Sequence, residues 1–240
     1  MAPVSLGPTE EELKAAEELK LAKQAKALAR EEADRKRRED KERQAAEEQK
    51  RKEKDKEEQL LALQAAGGIL SSGLKGGELV ELIGQSQGSL LPTGAALLRE
   101  ILERSSSSDV DDVLAGKWWT KAEYGPALIR LLGESVDNQK RLLFEVQGYC
   151  HQRKFPKVEV KGQQRKLIEV LFNLLLSNLL VSADAFFAWA DEDSDTPGRT
   201  DAIVHTTQFI QSLRDALAEA EEDEEEEEDD EVDAPRQIVK

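Results

Sequence analysis

Residues 163–180 read QQRKLIEVLFNLLLSNLL, and 10 of these 18 positions carry large apolar side chains. Wound as a helix, the segment is apolar on nearly every side, which is typical of a helix covered by neighbours. The apolar run from Leu167 to Val181 is about five residues short of the roughly 20 that cross a bilayer. It therefore predicts a buried helix rather than a membrane span.

Shorter stretches with helical apolar spacing lie on both sides of this segment, separated by Gly, Pro and Ser clusters. Strand patterning is weak, and its one candidate is a loop segment at 157–161. Short helices around one apolar helix predict an all-α fold: a HEAT-like stack of antiparallel helices over residues 91–218, preceded by a linker with a short helix over 67–90. The predicted helices are Leu74–Ile83, Thr93–Arg104, Val110–Leu114, Lys121–Leu132, Asp137–Gln152, Gln163–Leu180, Ala183–Asp191 and Arg199–Ala218.

Residues 9–66 contain no Gly or Pro and predict one long charged helix, after a disordered stretch at 1–8. Between residues 30 and 59 the only apolar side chains are alanines, so no coiled-coil seam exists there. We expect a solitary helix, roughly 75 Å long, that acts as a spacer and stops at Gly67. The alternative is that its Leu13–Leu28 portion packs on a partner.

The charge of the chain is concentrated at one end. The net charge is -16, and Glu219–Asp233 contains 13 acids and no base. Such a block repels itself, so residues 219–240 predict a disordered acidic tail that serves as an interaction segment or keeps the chain in solution. The overall charge argues against a general binder of nucleic acid or anionic membranes. One cysteine and the lack of a signal-peptide pattern predict a cytoplasmic protein.

The sequence offers few groups for catalysis. Cys150 and His151 are neighbours in a predicted helix, where adjacent side chains do not face each other, and His205 is the only other histidine. A structural zinc site needs about four Cys or His ligands. Gly84–Gly88 has no lysine to form a phosphate-binding loop. We therefore expect no enzyme activity, no cofactor and no metal site.

An aromatic and acidic cluster occupies residues 184–195. Acids at the C-terminal end of a helix oppose its dipole, which indicates a role other than stability. One interpretation is a negative docking surface with aromatic anchors for a lysine-rich partner; the other is that the rings belong to the core and the acids to a solvated turn. We interpret the acids as partner surface and the rings more readily as core. The residues assigned to this candidate surface are Asp184, Phe187, Trp189, Asp191, Glu192, Asp193 and Asp195.

A basic stretch precedes the apolar helix, with Glu159 as its single acid. It predicts one of three roles: contact with RNA phosphates, contact with the acidic tail, or solubility of a loop. Phe155 is its only aromatic residue, which makes RNA contact the minority interpretation. The basic residues are Arg153, Lys154, Lys157, Lys161, Arg165 and Lys166.

Four blocks in the second half of the chain occur in a familiar order: QKRLLFEVQ at 139–147, LIEVLFNLL at 167–175, ADAFFAWADED at 183–193 and GRTDAIVHTTQFI at 198–210. This order resembles the C-terminal HEAT-type domain of eukaryotic translation initiation factor 4 gamma, which factor 5 and the epsilon subunit of factor 2B share. That family ends in two aromatic and acidic boxes. Residues 184–195 are similar to the first box, and 209–228 to the second, although Ser212 stands where the family usually has a tryptophan.

The resemblance implies a non-catalytic adaptor of translation initiation. Its expected partners are a kinase or the lysine-rich segment of factor 2 beta. It also adds Phe209, Glu221, Glu222, Asp223 and Glu224 to the partner surface. Two alternatives remain: an accessory role in GTPase activation or nucleotide exchange on factor 2, and an escort for basic proteins that works through the acidic tail alone.

Overall fold

A computed structural model of the chain describes residues 10–86, 91–105 and 112–231. These residues form α-helices and one two-stranded sheet, so the predicted all-α class and the long N-terminal helix are confirmed. The chain divides into two compact units, Met1–Glu58 and Gln59–Lys240. The elements are α1 (Glu10–Ser71), α2 (Gly76–Gln85), α3 (Gly94–Ser105), α4 (Asp112–Ala115), α5 (Gly125–Leu132), α6 (Val136–Gln152), β1 (Lys157–Val160), β2 (Gln163–Lys166), α7 (Leu167–Ser177), α8 (Ala183–Asp191) and α9 (Arg199–Glu231).

The first unit is helical from Glu10 onward, and nearly all of its described side chains are exposed. Ion pairs between neighbouring turns line its surface, including Glu48–Lys52 at 2.6 Å and Lys54–Glu58 at 3.6 Å. Lys52 donates to Glu48 and so lowers the pKa of that carboxyl group. Helical propensity and these pairs, rather than a buried face, support this part of α1.

The last turns of α1 belong to the second unit. Ala62, Ala66 and Leu70 are buried in its core, and the helix passes through Gly67 and Gly68 to end at Ser71. The predicted end at residue 66 is therefore wrong. A mid-helix glycine costs about 1 kcal/mol relative to alanine, which burial of the neighbouring apolar side chains offsets.

The short helix predicted within the linker at 67–90 is present as α2, but residues 67–86 belong to the folded unit, while 87–90 lie outside the described residues. The α2 helix packs against α5, and Leu79 and Ile83 of α2 lie in the same core as α3. Lys75, just before α2, pairs with Glu123 at 2.6 Å. The folded unit thus begins at Gln59 rather than at residue 91. The apolar faces of the end of α1 and of α2 are short, and they are buried by helices that lie far away in the sequence.

The predicted buried helix is present as α7. Its Leu167, Leu171, Phe172 and Leu175 have no exposed side-chain surface, and α7 packs against α6 and α9. The α6 helix in turn packs against α3 and α8, so the core runs between all five helices. Whether this stack follows the HEAT repeat remains a prediction.

Residues 163–166 form a strand instead of the first turn of that helix. Strand β2 pairs antiparallel with β1, with Val158 opposite Arg165 and Val160 opposite Gln163. The loop residues Lys161 and Gly162 both have positive φ, 52° and 79°, as a two-residue hairpin turn requires. The prediction that the helix starts at Gln163 is therefore wrong, and the weak candidate strand at 157–161 is real.

The last helix continues into the acidic run. We expected disorder from residue 219, whereas α9 is helical to Glu231; residues 232–240, like the segment 1–8 also expected to be disordered, lie outside the described residues. Glutamate has a high helix propensity, and this explains how a helix can extend into a self-repelling segment.

Candidate functional site

A seven-residue acidic loop, residues 192–198, joins α8 to α9 and is held firmly to the body. Arg199 donates from one guanidinium nitrogen to the backbone carbonyls of Trp189, Ala190 and Glu192, the last two at 3.0 Å. Its guanidinium also lies 4.5 Å from the centre of the Trp189 ring. Burial lowers the pKa of Arg199, and the nearby carboxylates of Glu192 and Asp191 oppose that shift. Arg199 thus caps α8 from outside that helix, since its carbonyls have no intrahelical donors.

Gln147 holds the other end of the same loop. Its side-chain amide is buried and donates to Thr196 Oγ1 at 2.9 Å and to the Pro197 carbonyl at 3.1 Å. Its oxygen accepts the indole N–H of Trp189 at 3.2 Å. One side chain of α6 therefore connects α8 with the loop, and all of its hydrogen-bonding groups are used.

The carboxylates around this loop fall into two groups. Asp191 pairs with Arg214 at 2.8 Å, and Glu192 pairs with Lys140 at 2.8 Å, where the hydrogen bond raises the pKa of Lys140. Asp193 and Asp195 are exposed, and no described residue pairs with either of them.

Asp184, at the other end of α8, is also exposed and lies in the first turn of that helix. An acid there stabilises the helix dipole, so its position has a sufficient structural reason. The unpaired acidic surface of the loop itself is therefore formed by Asp193 and Asp195.

The aromatic anchors lie mostly in the core. Trp189 is 0% exposed and packs edge-on against Phe172 with ring centres 5.0 Å apart. Its assignment as a partner-contacting residue is therefore wrong, because α8 turns that face toward α6 and α7. Phe187 is half-buried under Arg214, and Phe209 is half-buried against Phe186.

The second box is only partly described. Glu221, Glu222, Asp223 and Glu224 lie on the helical backbone of α9, while their side chains lie outside the described residues. Phe209 is 12 residues before this acidic segment on the same helix, which places the two roughly 18 Å apart along its axis. The structure thus separates the aromatic part of this box from its acidic part.

The six basic candidates lie on and around the β1–β2 hairpin. Arg153 pairs with Glu103 at 2.8 Å, Arg165 pairs with Glu169 at 3.4 Å, and Lys166 donates to the Phe155 carbonyl at 2.9 Å. The remaining three are exposed and have no partner among the described side chains: Lys154, Lys157 and Lys161.

Two of the groups considered for chemistry, Cys150 and His205, pack against other side chains. Cys150 is buried, and burial raises the pKa of its thiol to about 12. His205 packs on the Phe155 ring, with ring centres 5.3 Å apart, and burial followed by the charge of Lys166 lowers its pKa. Within the described ranges, no three His, Cys, Asp or Glu side chains converge as a metal site would require. In the same ranges, no helix is both long and apolar enough to span a membrane.

Sequence reasoning did not find a cleft of about 260 Å³ bounded by α3, α6 and the acidic loop. Arg99 and Glu145 face each other across it at 3.5 Å, and burial raises the pKa of Glu145 despite that arginine. Nor did it find Gln147 or Arg199 as the residues that hold the loop. The contacts of Gln147 join positions 49 and 50 apart, which leave no local pattern.

Comparison with known proteins adds no family to this description: no protein-family model matches the chain, and a search of curated proteins returns no match.

Proposed function

We propose that this chain is a non-catalytic adaptor that binds lysine-rich segments of partner proteins, in the manner of the initiation-factor domains that its second half resembles. The observation that carries the proposal is the state of Asp193 and Asp195. Both are exposed and unpaired among the described residues, on a loop whose backbone is fixed by Arg199 and Gln147.

A fixed loop favours binding because less conformational freedom is lost when the partner arrives. The acidic stretch of α9 adds a longer-range attraction: 12 acids and no base lie between Glu219 and Glu231. Such a charge raises the encounter rate of a basic segment, while the two fixed carboxylates provide defined contacts.

The experiment measures binding of the full chain to the lysine-rich segment of factor 2 beta by fluorescence anisotropy at low salt. We expect Asp193→Asn with Asp195→Asn to weaken binding by roughly 2- to 10-fold, the range typical of two exposed charge pairs. The matched control is Glu78→Gln with Glu81→Gln, which removes the same charge from exposed positions of α2. Equal affinity of wild type and the loop variant would refute the adaptor proposal.

The second candidate is an escort for basic proteins that uses only the acidic end of the chain. The observation that favours it is the burial of Trp189, which removes the aromatic anchor from the first box. A chain that stops after Ala218 separates the two functions. Loss of all binding supports the escort, whereas residual binding that still depends on Asp193 and Asp195 supports the adaptor.

A further inference from the structure

We infer that the β1–β2 hairpin is a docking site for the acidic end of α9 from a second copy of this chain. The basic surface of the hairpin consists of Lys154, Lys157 and Lys161, together with Arg165. The inference does not depend on the proposed function, because it concerns the purified chain alone.

The hairpin accumulates positive charge at a structural cost. Lys157 lies directly opposite Lys166 in the strand register, and like charges in that position destabilise a hairpin. Lys154 and Phe155 both have positive φ, 58° and 49°, which is uncommon for residues other than glycine. Charge and backbone conformation that both oppose stability point to a function for this surface.

The occupant suggested by charge is present in the chain itself. The run from Glu219 to Glu231 holds 12 acids and no base, whereas the hairpin, residues 157–166, has four bases and Glu159 as its only acid. The two segments have opposite charge, and the hairpin can engage about two thirds of the run, since a helix of 13 residues is roughly 20 Å long and a strand of four roughly 13 Å.

The same molecule cannot bring the two segments together over most of their length. The base of the hairpin meets α9 at His205, whose ring is 5.3 Å from the Phe155 ring. The helix then continues to Glu231, so residues 225–231 lie roughly 30–39 Å farther along its axis. A hairpin roughly 13 Å long falls short of them in any orientation. Residues 225–231 therefore cannot reach the hairpin lysines of their own chain. A second copy of the chain must supply these acids.

Nucleic acid is the competing occupant, and the hairpin suits it less well. Single-stranded nucleic acid binds to exposed aromatic rings that stack on its bases, and Phe155, the aromatic residue next to the hairpin, is 4% exposed. The acidic run would also repel a polyanion. In self-association the acidic run is itself the bound element, so its carboxylates act locally as the attractive partner of the hairpin lysines.

The experiment is sedimentation velocity of the full chain at about 50 mM and about 500 mM salt, conditions that change the Debye length from roughly 14 to roughly 4 Å. We expect concentration-dependent association above the 26.8 kDa monomer at low salt and a monomer at high salt. The hairpin variant Lys154→Gln, Lys157→Gln, Lys161→Gln should weaken association at least roughly 10-fold. The matched control, Lys41→Gln, Lys50→Gln, Lys56→Gln, changes three exposed lysines of α1 and should associate as wild type does.

A mixing experiment tests the pairing itself. A second variant replaces the seven glutamates of 221–228 by glutamine. Each variant alone should remain a monomer, whereas the mixture should associate, because one supplies an intact acidic run and the other an intact hairpin. A monomeric wild type at low salt, a hairpin variant that associates as strongly as wild type, or a mixture that does not associate would each overturn the inference. A monomeric wild type that binds a 20-nucleotide oligouridine through the same lysines would assign the hairpin to nucleic acid.

Discussion

At the scale of single residues, Gln147 has the largest consequence for the candidate site. Its buried side-chain amide donates to Thr196 and to the Pro197 carbonyl, and its side-chain oxygen accepts from the Trp189 indole. An unsatisfied buried donor or acceptor costs about 1–3 kcal/mol. We expect Gln147→Ala to lower the free energy of unfolding by about 2–4 kcal/mol in urea denaturation.

The control for this change is Gln152→Ala, an exposed glutamine on the same helix, which should shift stability by about 0.5 kcal/mol or less. If both substitutions cost the same, the hydrogen bonds of Gln147 do not hold the acidic loop.

Cys150 provides a second prediction at this scale. Its thiol is buried, with a pKa raised to about 12, and the reactive species is the thiolate. We expect the native chain to react with a disulfide reagent at pH 8 at least roughly 100-fold more slowly than the urea-unfolded chain, whose thiol has a pKa near 8.5. Rapid reaction of the native chain would show that α6 opens readily or that the thiol is accessible.

At the scale of elements, the C-terminal end of α8 depends on an arginine from the next helix. Arg199 satisfies carbonyls of Trp189, Ala190 and Glu192, while Arg214 forms one exposed ion pair with Asp191. Exposed pairs contribute about 0–1 kcal/mol, whereas buried carbonyls without donors cost more. We expect Arg199→Met to destabilise the chain by about 2–4 kcal/mol and Arg214→Met by less than about 1 kcal/mol, measured by chemical denaturation. Equal costs would contradict the capping role.

Two glycines test how elements are joined. Gly68 lies inside α1, and a Cβ there would meet nothing within 4 Å, so Gly68→Ala should stabilise the chain by about 0.5–1 kcal/mol. At Gly125, where α5 begins, a Cβ would lie 2.3 Å from the Trp119 carbonyl oxygen, so alanine must displace backbone and should destabilise by at least about 2 kcal/mol. Thermal denaturation of both variants shows whether each substitution stabilises or destabilises the chain. A stabilising Gly125→Ala would show that this turn is looser than described.

Elements with a strong local pattern were predictable, and those that depend on distant contacts were not. Helix α8 matches its predicted bounds, and α7 is buried as its composition indicates. The continuation of α1 past Gly67 was missed because burial of Ala66 and Leu70 depends on other helices. The second strand of the hairpin was missed because the turn before it needs positive φ at Lys161, which sequence pattern does not show for a lysine.

The candidate site was predicted only in part for the same reason. Asp193 and Asp195 were identified by charge alone, and charged loop residues are exposed in most folds. Trp189 was misassigned because its nearest ring, Phe172, belongs to a different helix. The face that a short helix buries is decided by the helices around it, and a nine-residue segment with aromatic residues on two sides does not reveal that face.

At the scale of the whole molecule, the boundary of the folded unit is the main prediction. Ala62 and Ala66 of α1 lie in the core of Gln59–Lys240. We expect residues 59–240 to unfold cooperatively with the stability of the full chain. The fragment 67–240 begins just after the predicted end of the spacer helix and lacks the buried Ala62 and Ala66. Its free energy of unfolding should be lower by on the order of 2 kcal/mol. Calorimetry of the two fragments compares them, and equal transition temperatures would place the boundary at 67.

The burial of Trp118 and Trp189 makes tryptophan fluorescence a probe of this fold. Trp118 and Trp119 meet edge-on near α4, while Trp189 lies under the guanidinium of Arg199 at the end of α8. A buried indole emits at shorter wavelength than a hydrated one. In the variant Trp118→Phe, Trp119→Phe the only remaining tryptophan is Trp189, so the emission wavelength reports on the C-terminal end of α8 alone. If its emission shifts at lower denaturant than the helical circular dichroism, the acidic loop detaches before the rest of the fold melts.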